Sequence, residues 1–171
     1  MTANDIIEYF QMEQLPVEGT YYKSTYRAKQ TYLNGPIGTA IIGLYSNEPL
    51  SLSRFHRLKY DETWHFYAGD PFQLYLLYPD GKTREVVIGN NILAGQKVQF
   101  TIPANVWQAG EIITNGKYAL FGCTMTPGFS GNCFEGGTIE TLLPLYPQKA
   151  TIIKRLGIDD NTTTLPQGFT Q

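Results

Sequence analysis

Histidine and cysteine are scarce in this sequence of 171 residues, which contains two of each. Two cysteines, Cys123 and Cys133, are too few for a disulfide framework or a zinc knuckle, so we expect two free thiols. The shortage of histidine restricts the search for catalytic or metal-binding imidazoles to His56 and His65.

Charged side chains are few as well, at 16% of the chain, and their signs nearly cancel to a formal net charge of −2. Such a chain has no strong field to attract nucleic acid or an anionic membrane surface. It has no apolar run of the roughly 20 residues that a membrane span needs, and Asp5 and Glu8 interrupt the stretch where a secretory signal would be apolar. We therefore expect a cytoplasmic protein that binds neither nucleic acid nor membrane.

Aromatic residues, in contrast, make up 13% of the chain, and 42% of all residues are hydrophobic. This supply is sufficient for one buried core, and the length fits one domain, which we expect to cover residues 1–158. Residues 159–171 are rich in Thr, Asn and Gln and are typical of a disordered tail.

Most of the chain predicts short antiparallel strands. Runs rich in β-branched and aromatic residues alternate with turn signals at intervals of about 8–12 residues, and Asp80-Gly81 and Asn115-Gly116 are strong hairpin signals. We expect strands near 21–26, 39–45, 52–58, 63–67, 72–78, 84–88 and 118–126, and helices near 4–12 and 148–156. The pattern is typical of an all-β sandwich or barrel with short N- and C-terminal helices.

The two histidines flank a cluster of candidate site residues. A turn near residues 59–61 would end one strand at His56 and begin the next at Glu62, which would set an imidazole and a carboxylate side by side on one face. Strand alternation then places Trp64 and Phe66 with Glu62, and His65 on the opposite face. A buried structural histidine that is hydrogen-bonded to Glu62 is the alternative interpretation.

The spacing of His56, Glu62 and Gly69 resembles the first signature of the cupin superfamily, and Gly95 with residues 103–108 resembles the second. In metal-binding cupins these signatures supply three histidines and one glutamate. Here Leu58 and Gln108 stand at two of the four ligand positions, and Leu offers no donor to a metal. The resemblance therefore implies no cofactor; if a divalent metal is bound, its ligands would be His56, Glu62 and Gln108.

A closer resemblance, from about Leu15 to Leu156, is to the fifth cupin subfamily, whose members are described as predicted sugar epimerases. The matching segments are Glu18-Gly19, Tyr21-Tyr22, Thr25-Tyr26-Arg27, Phe55-His56-Arg57-Leu58, Asp61-Glu62, Trp64 to Pro71, Pro103-Ala104, Val106 to Ala109, Tyr118 to Leu120, Gly122 to Thr124, Pro127 to Phe129 and Phe134-Glu135. One segment departs: the subfamily's His-Pro-Glu-Gly-Gly reads Pro16-Val17-Glu18-Gly19-Thr20 here, so a histidine is lost.

The resemblance implies a cupin jelly-roll barrel that forms a homodimer and holds a small molecule, such as a sugar or nucleotide-sugar. For a metal-independent epimerase or isomerase, His56 would be the base and Glu62 its partner, because an imidazole titrates near neutral pH. A tyrosine of the first strand, Tyr21, Tyr22 or Tyr26, would be the acid, with Tyr26 taken as the catalytic one. The expected substrate-binding residues are Glu18, Tyr22, Arg27, Arg57, Trp64, Phe66, Trp107, Gln108 and Phe129.

Two other functions stay open at this point. One is a metal-dependent cupin enzyme, such as a dioxygenase or isomerase, which Leu58 disfavours. The other is a ligand-binding barrel without turnover, which the lost histidine favours.

Overall fold

Two large antiparallel β-sheets pack face to face in the computed structural model of this protein, which describes residues 1–33, 35–113 and 115–170. The strands are β1 (Glu13–Gln14), β2 (Tyr21–Arg27), β3 (Thr31–Tyr32), β4 (Gly35–Pro36), β5 (Thr39–Ser46), β6 (Ser53–Leu58), β7 (Glu62–Gly69), β8 (Phe72–Leu77), β9 (Thr83–Ile88), β10 (Gln99–Ile102), β11 (Trp107–Ile112), β12 (Tyr118–Met125) and β13 (Phe134–Gly136). The predicted all-β class and the predicted strands are confirmed.

One sheet has the strand order β1-β2-β5-β12-β7-β10, and the other has the order β13-β6-β11-β8-β9. From β5 onward the chain mostly crosses from one sheet to the other at each turn, which is the connectivity of a jelly roll. Within the described residues no ladder joins the edge strands of the two sheets, so the expected barrel is an open pair of sheets. Each edge strand pairs only within its own sheet.

Aromatic rings fill the space between the sheets. Tyr45, Trp64 and Phe121 of the six-stranded sheet meet Phe72 of the other sheet, with ring centroids 4.6 to 6.1 Å apart. All four are almost fully buried. Each such side chain removes about 150–250 Å² from water, so this cluster dominates the core and fixes the walls of the adjoining site.

Three α-helices cover the outer faces of the described structure: α1 (Ala3–Phe10), α2 (Ile139–Leu145) and α3 (Ala150–Leu156). Thr2 caps α1 in a capping box, and Ile6 packs against the six-stranded sheet. Helices α2 and α3 pack against the five-stranded sheet through Leu142, Ile153 and Leu156. The terminal helices are confirmed, whereas α2 is additional and holds an internal proline, Pro144.

None of the helices in the described residues is long and apolar enough to cross a lipid bilayer. Cys123 and Cys133 are free thiols, as the sequence predicts, and both are buried.

The C-terminal segment, residues 159–170, has no helix or strand. It lies against the sheets, because the Gly136 amide donates a 2.7 Å hydrogen bond to the Thr163 carbonyl and Leu165 is buried among Leu58, Met125 and Phe129. The segment that the composition predicts to be a disordered tail therefore covers one end of the core in this structure.

Candidate functional site

A small cavity at one end of the space between the sheets brings the candidate residues together. Its polar lining comes from Glu18, Thr20, His56, Glu62 and Cys123. Its volume of about 20 Å³ is close to the minimum that one water molecule requires. We call this space the inner cavity.

Glu18 reaches the inner cavity from the turn between β1 and β2. The turn is closed by two backbone hydrogen bonds, from the Leu15 amide to the Thr20 carbonyl and from the Gly19 amide to the Leu15 carbonyl, and Val17 has a φ of 70° in the left-handed region. A β-branched residue is uncommon in that conformation and costs backbone free energy. The strained backbone at Val17 lies next to Glu18, whose carboxylate points into the inner cavity.

Hydroxyl groups fix the Glu18 carboxylate. Oε1 accepts hydrogen bonds from the Thr20 hydroxyl at 2.5 Å and the Ser53 hydroxyl at 2.8 Å. The Tyr45 hydroxyl in turn donates to Ser53 Oγ at 2.6 Å. Two charge-assisted bonds to one oxygen hold the carboxylate in a single orientation, and its other oxygen remains directed at His56.

The His56 imidazole lies beside Glu18, with Nε2 3.5 Å from Glu18 Oε2. Its Nδ1 is 2.8 Å from the Arg54 carbonyl oxygen, and since that oxygen can only accept, Nδ1 carries a proton. The ring of Phe134 stacks on the imidazole at 5.4 Å with an interplanar angle of 15°. The tautomer and the ring plane are therefore both fixed, which leaves Nε2 as the atom available for proton transfer.

Glu62 is held by a separate set of donors. Its Oε2 accepts hydrogen bonds from Trp64 Nε1 at 3.0 Å and Gln108 Nε2 at 2.8 Å. Burial nevertheless raises the pKa of Glu62, and the nearby Glu18 charge raises it further, while His56 and the two donors act in the opposite direction. Glu62 is thus a buried carboxyl group that keeps its proton to higher pH than an exposed glutamate.

Cys123 lines the same cavity as a neutral thiol. Burial raises its pKa well above the ordinary value, and the charges of Glu62 and Glu18 add to that effect. Since the thiolate is the nucleophilic form, this environment makes Cys123 an inert wall residue.

His56 and Glu62 face each other from different sheets, which corrects the expected side-by-side arrangement on one face. His56 lies on β6 of the five-stranded sheet, and Glu62 begins β7 of the six-stranded sheet. The turn at residues 59–61 is present, but it carries the chain across the core. The imidazole therefore has Glu18 as its nearest carboxylate partner.

Five of the predicted site residues line the inner cavity: Glu18, His56, Glu62, Trp64 and Phe129. Gln108 lies directly behind them, where its Nε2 donates to Glu62 and its Oε1 accepts from Trp64 Nε1 at 3.2 Å. His65 faces the other side of β7, where its Nε2 lies 2.9 Å from the Thr124 hydroxyl oxygen, as strand alternation predicts.

The two predicted tyrosines lie outside the cavity lining. Tyr22 is buried in the core and donates a 3.1 Å hydrogen bond to Glu13 Oε1; burial and this bond raise its pKa. Tyr26 is 56% exposed at the far end of β2, beyond a register shift between Ser24 and Tyr26. Tyr26 therefore does not reach the inner cavity as the expected acid.

The two predicted arginines also lie outside it. Arg27 donates a 3.1 Å hydrogen bond to the Phe129 carbonyl and lines a larger pocket nearer the surface. Arg57 points away from the cavity, where it pairs with Glu135 at 2.8 Å and covers the Trp107 ring at 4.5 Å. Adjacent residues of a strand face opposite sides, so Arg57 and His56 cannot share one site.

Phe66 and Trp107 pack elsewhere as well. Phe66 lies against the core cluster further along β7, and Trp107 is buried under helices α2 and α3. Alternation along β11 places Trp107 and Gln108 on opposite faces, which the sequence alone could have predicted.

Thr20, Ser53 and Tyr45 are the site residues that the sequence did not indicate. Ser53 and His56 both point inward although they are three positions apart, because the register of β6 against β11 shifts between Ser53 and His56. Such a bulge redirects a side chain that simple alternation would place on the other face.

The possible metal ligands of the inner cavity are not arranged as a metal site. Both polar atoms of Gln108 and one oxygen of Glu62 are engaged with each other or with Trp64. Across residues 1–33, 35–113 and 115–170, no three His, Cys, Asp or Glu side chains are positioned to hold one ion. We therefore derive no chemical step through a metal.

A family profile described as "Cupin superfamily (DUF985)" matches residues 4–136 of the chain. A hypothetical protein from Leishmania major is 30% identical in sequence, with a TM-score of 0.84 over 93% of this chain and 100% of its own. A protein from Shewanella oneidensis is 31% identical, with a TM-score of 0.85 over 94% of this chain and 99% of its own.

A cupin 2 conserved barrel domain protein from Rhodopseudomonas palustris shares the fold, with a TM-score of 0.55 at 12% identity over 83% of this chain and 81% of its own. No curated protein matches the chain.

Proposed function

Because this chain belongs to the DUF985 family of the cupin superfamily, we propose that its inner cavity is the active site of a sugar epimerase that works by acid–base proton transfer. The observation that carries the proposal is the position of His56 and Glu62 on opposite walls of one buried cavity. Epimerisation beside a carbonyl requires a base on one side of the reacting carbon and an acid on the other.

In the first step, His56 Nε2 takes the proton from the carbon next to the substrate carbonyl. The C–H bond breaks, its electron pair moves toward the carbonyl oxygen, and an enolate forms. Glu18 stabilises the imidazolium because its Oε2 lies 3.5 Å from Nε2.

In the second step, the carboxylic acid of Glu62 gives its proton to the same carbon from the opposite face. Burial raises the pKa of Glu62, which keeps this acid protonated to higher pH than an exposed glutamate. The product is the inverted epimer, with His56 protonated and Glu62 ionised. Transfer of one proton from His56 to Glu62 through solvent restores the starting state.

The substrate needs more room than the inner cavity has in this structure. A volume of about 20 Å³ holds roughly one water molecule, so a sugar ring enters only if a wall moves. Phe129 is the wall residue we propose to move, since it lies in the loop after β12 and outside both sheets.

The test is hydrogen exchange on keto-sugar substrates in deuterated water. The purified protein is incubated with a panel of nucleoside-diphosphate 4-keto sugars, and NMR follows deuterium at the carbons next to the carbonyl. We expect His56→Ala to lower the exchange rate by about 10²–10⁴-fold, because the base is lost. We expect Glu62→Gln to retain exchange but to lose inversion.

His65→Ala is the matched control, since it removes the other histidine from the outer face of β7 and should leave exchange unchanged. Undiminished exchange in His56→Ala would exclude His56 as the base. Loss of wild-type exchange on chelation would instead support the metal-dependent alternative.

A second candidate function is ligand binding without turnover, and the small volume of the inner cavity favours it. In that case His56, Glu18 and Glu62 form a hydrogen-bonded structural cluster. Absence of exchange with every substrate of the panel, with binding retained, would support this function over the epimerase.

A further inference from the structure

A second and much larger pocket opens next to the inner cavity, between the C-terminal segment and the ends of β2 and β6. Arg27, Lys59, Asn132, Phe134, Gln167 and Phe169 contribute to its lining, and its volume is about 750 Å³. This volume lies within the range of about 300–1,000 Å³ that small-molecule sites occupy. We call it the outer pocket.

The outer pocket is positively charged, although the chain carries a net charge of −2. Arg27 and Lys59 line it, and no aspartate or glutamate of the described residues does. Within residues 1–33, 35–113 and 115–170, neither cation forms an ion pair with a carboxylate. Arg27 is held in place because it donates to the Phe129 carbonyl, and its guanidinium has further N–H donors for a ligand.

A layer of aromatic rings, together with Leu58 and Leu165, separates the two spaces. Phe134 lines the outer pocket and stacks on His56 of the inner cavity. Phe129 lines the inner cavity, and its ring contacts that of Phe169, which lines the outer pocket, at 6.4 Å between centroids. A molecule that displaced the Phe129 ring would therefore extend from one space into the other.

The two spaces also differ in the charge that they accept. The Glu18 carboxylate lines the inner cavity, and burial strengthens its repulsion of an anion. An anionic substrate must therefore keep its negative group outside while its neutral end reaches His56.

We propose that the outer pocket binds the phosphate group of the substrate through Arg27 and Lys59, so that the enzyme acts on phosphorylated sugars or sugar nucleotides. The substrate class rests on the proposed epimerase function, whereas phosphate binding in the outer pocket is measured independently of it. Arg27 supplies a planar guanidinium for two phosphate oxygens, and Lys59 supplies a mobile ammonium group.

The experiment is isothermal titration of the full chain with glucose 1-phosphate and inorganic pyrophosphate, with glucose as the neutral probe. We expect both anions to bind more tightly than glucose, and their binding to weaken as NaCl rises. Arg27→Gln and Lys59→Met should each weaken anion binding by about tenfold, because each removes a charge-assisted contact.

Lys29→Met is the matched control, because Lys29 is an exposed cation close to Arg27 in sequence but outside the pocket lining. It should change anion binding by less than about twofold. Arg27→Gln also removes the bond to the Phe129 carbonyl, so Lys59→Met provides the cleaner test if that variant folds poorly. Equal losses in Lys29→Met and Lys59→Met, binding of glucose as tight as that of glucose 1-phosphate, or no anion binding would overturn the proposal.

The two proposals can fail separately. His56→Ala should bind inorganic pyrophosphate within about twofold of the wild type, because this probe has no sugar end to reach His56 and both cations stay in place. Anion binding that depends on Lys59, without hydrogen exchange on any substrate, would retain the outer site and remove the epimerase. If the wild type exchanged hydrogen on keto sugars and Lys59→Met bound anions as the wild type does, the epimerase would be retained and the outer site removed.

Discussion

The inner cavity measures about 20 Å³ and is lined by two buried carboxyl groups, whereas the outer pocket measures about 750 Å³ and is lined by two cations. The walls of the first come mostly from the two sheets, together with Glu18 in the turn before β2 and Phe129 in the loop after β12. The walls of the second come largely from the loop after β12 and from the C-terminal segment. The proposed proton-transfer groups His56 and Glu62 thus lie on strands, whereas the two cations lie at strand ends, Arg27 as the last residue of β2 and Lys59 directly after β6.

This difference follows from the cost of burial. A carboxylate inside a protein needs donors in fixed positions, and Glu18 and Glu62 receive theirs from neighbouring strands. In the described residues every buried side-chain nitrogen or oxygen has a hydrogen-bond partner. An exposed lysine such as Lys59 is solvated by water and needs no hydrogen-bond partners in fixed positions.

We expect a Phe-to-Ala substitution to lower the free energy of unfolding much more beside the inner cavity than beside the outer pocket. Phe121→Ala removes a buried ring that contacts Tyr45, Trp64 and Phe72, and we expect it to lower the free energy of unfolding by about 3–5 kcal/mol. Phe169→Ala removes a half-buried ring of the C-terminal segment and should cost less than about 2 kcal/mol. Urea denaturation measures both values.

Equal losses in the two phenylalanine variants would contradict the division into a rigid inner region and a marginal outer one. They would indicate that the C-terminal segment is an integral part of the core.

The pH dependence of stability tests the electrostatics of the inner cavity. Burial raises the pKa of Glu62 in the folded chain above its ordinary value of 4.5, so the folded state holds this proton to higher pH than the unfolded state. Stability from this group is complete below pH 4.5 and is lost as the pH rises through the folded pKa. Gln does not titrate, so the stability of Glu62→Gln should rise relative to that of the wild type as the pH increases from 5 to 9.

Urea denaturation at several pH values measures this difference, and Glu8→Gln is the matched control on an exposed carboxylate. Glu8 is exposed and does not line the inner cavity, so we expect Glu8→Gln to keep the pH dependence that Glu62 gives the wild type. A difference between Glu62→Gln and the wild type that stayed constant or fell with pH would show that Glu62 is ionised at little cost.

The fold could be predicted from sequence where local signals determine it. Alternation and turn residues located the strands, and Glu62 and Trp64 face inward as the two-residue period requires. Helix α2 was missed because Pro144 interrupts its pattern, although Pro144 lies in the last turn of the helix.

The site was less predictable, because its partners meet through contacts between distant parts of the chain. Glu18 reaches His56 from a turn far away in sequence, and Ser53 joins them through a bulge that no local pattern marks. The face on which a residue lies can be read from alternation, but the sheet that it belongs to cannot. For that reason His56 and Glu62 were expected side by side and instead lie opposite each other.

The smallest effect is expected at Arg57, a third cation near the site whose charge is already paired. Its guanidinium pairs with Glu135 and covers Trp107 on a half-exposed surface, so Arg57→Ala should cost at most about 1 kcal/mol of unfolding free energy. Its effect on glucose 1-phosphate binding should be below about twofold, because Arg57 lines neither space. Titration of Arg57→Ala beside Lys59→Met checks this: a comparable loss in both would mean that general positive charge, and not the outer pocket, attracts the anion.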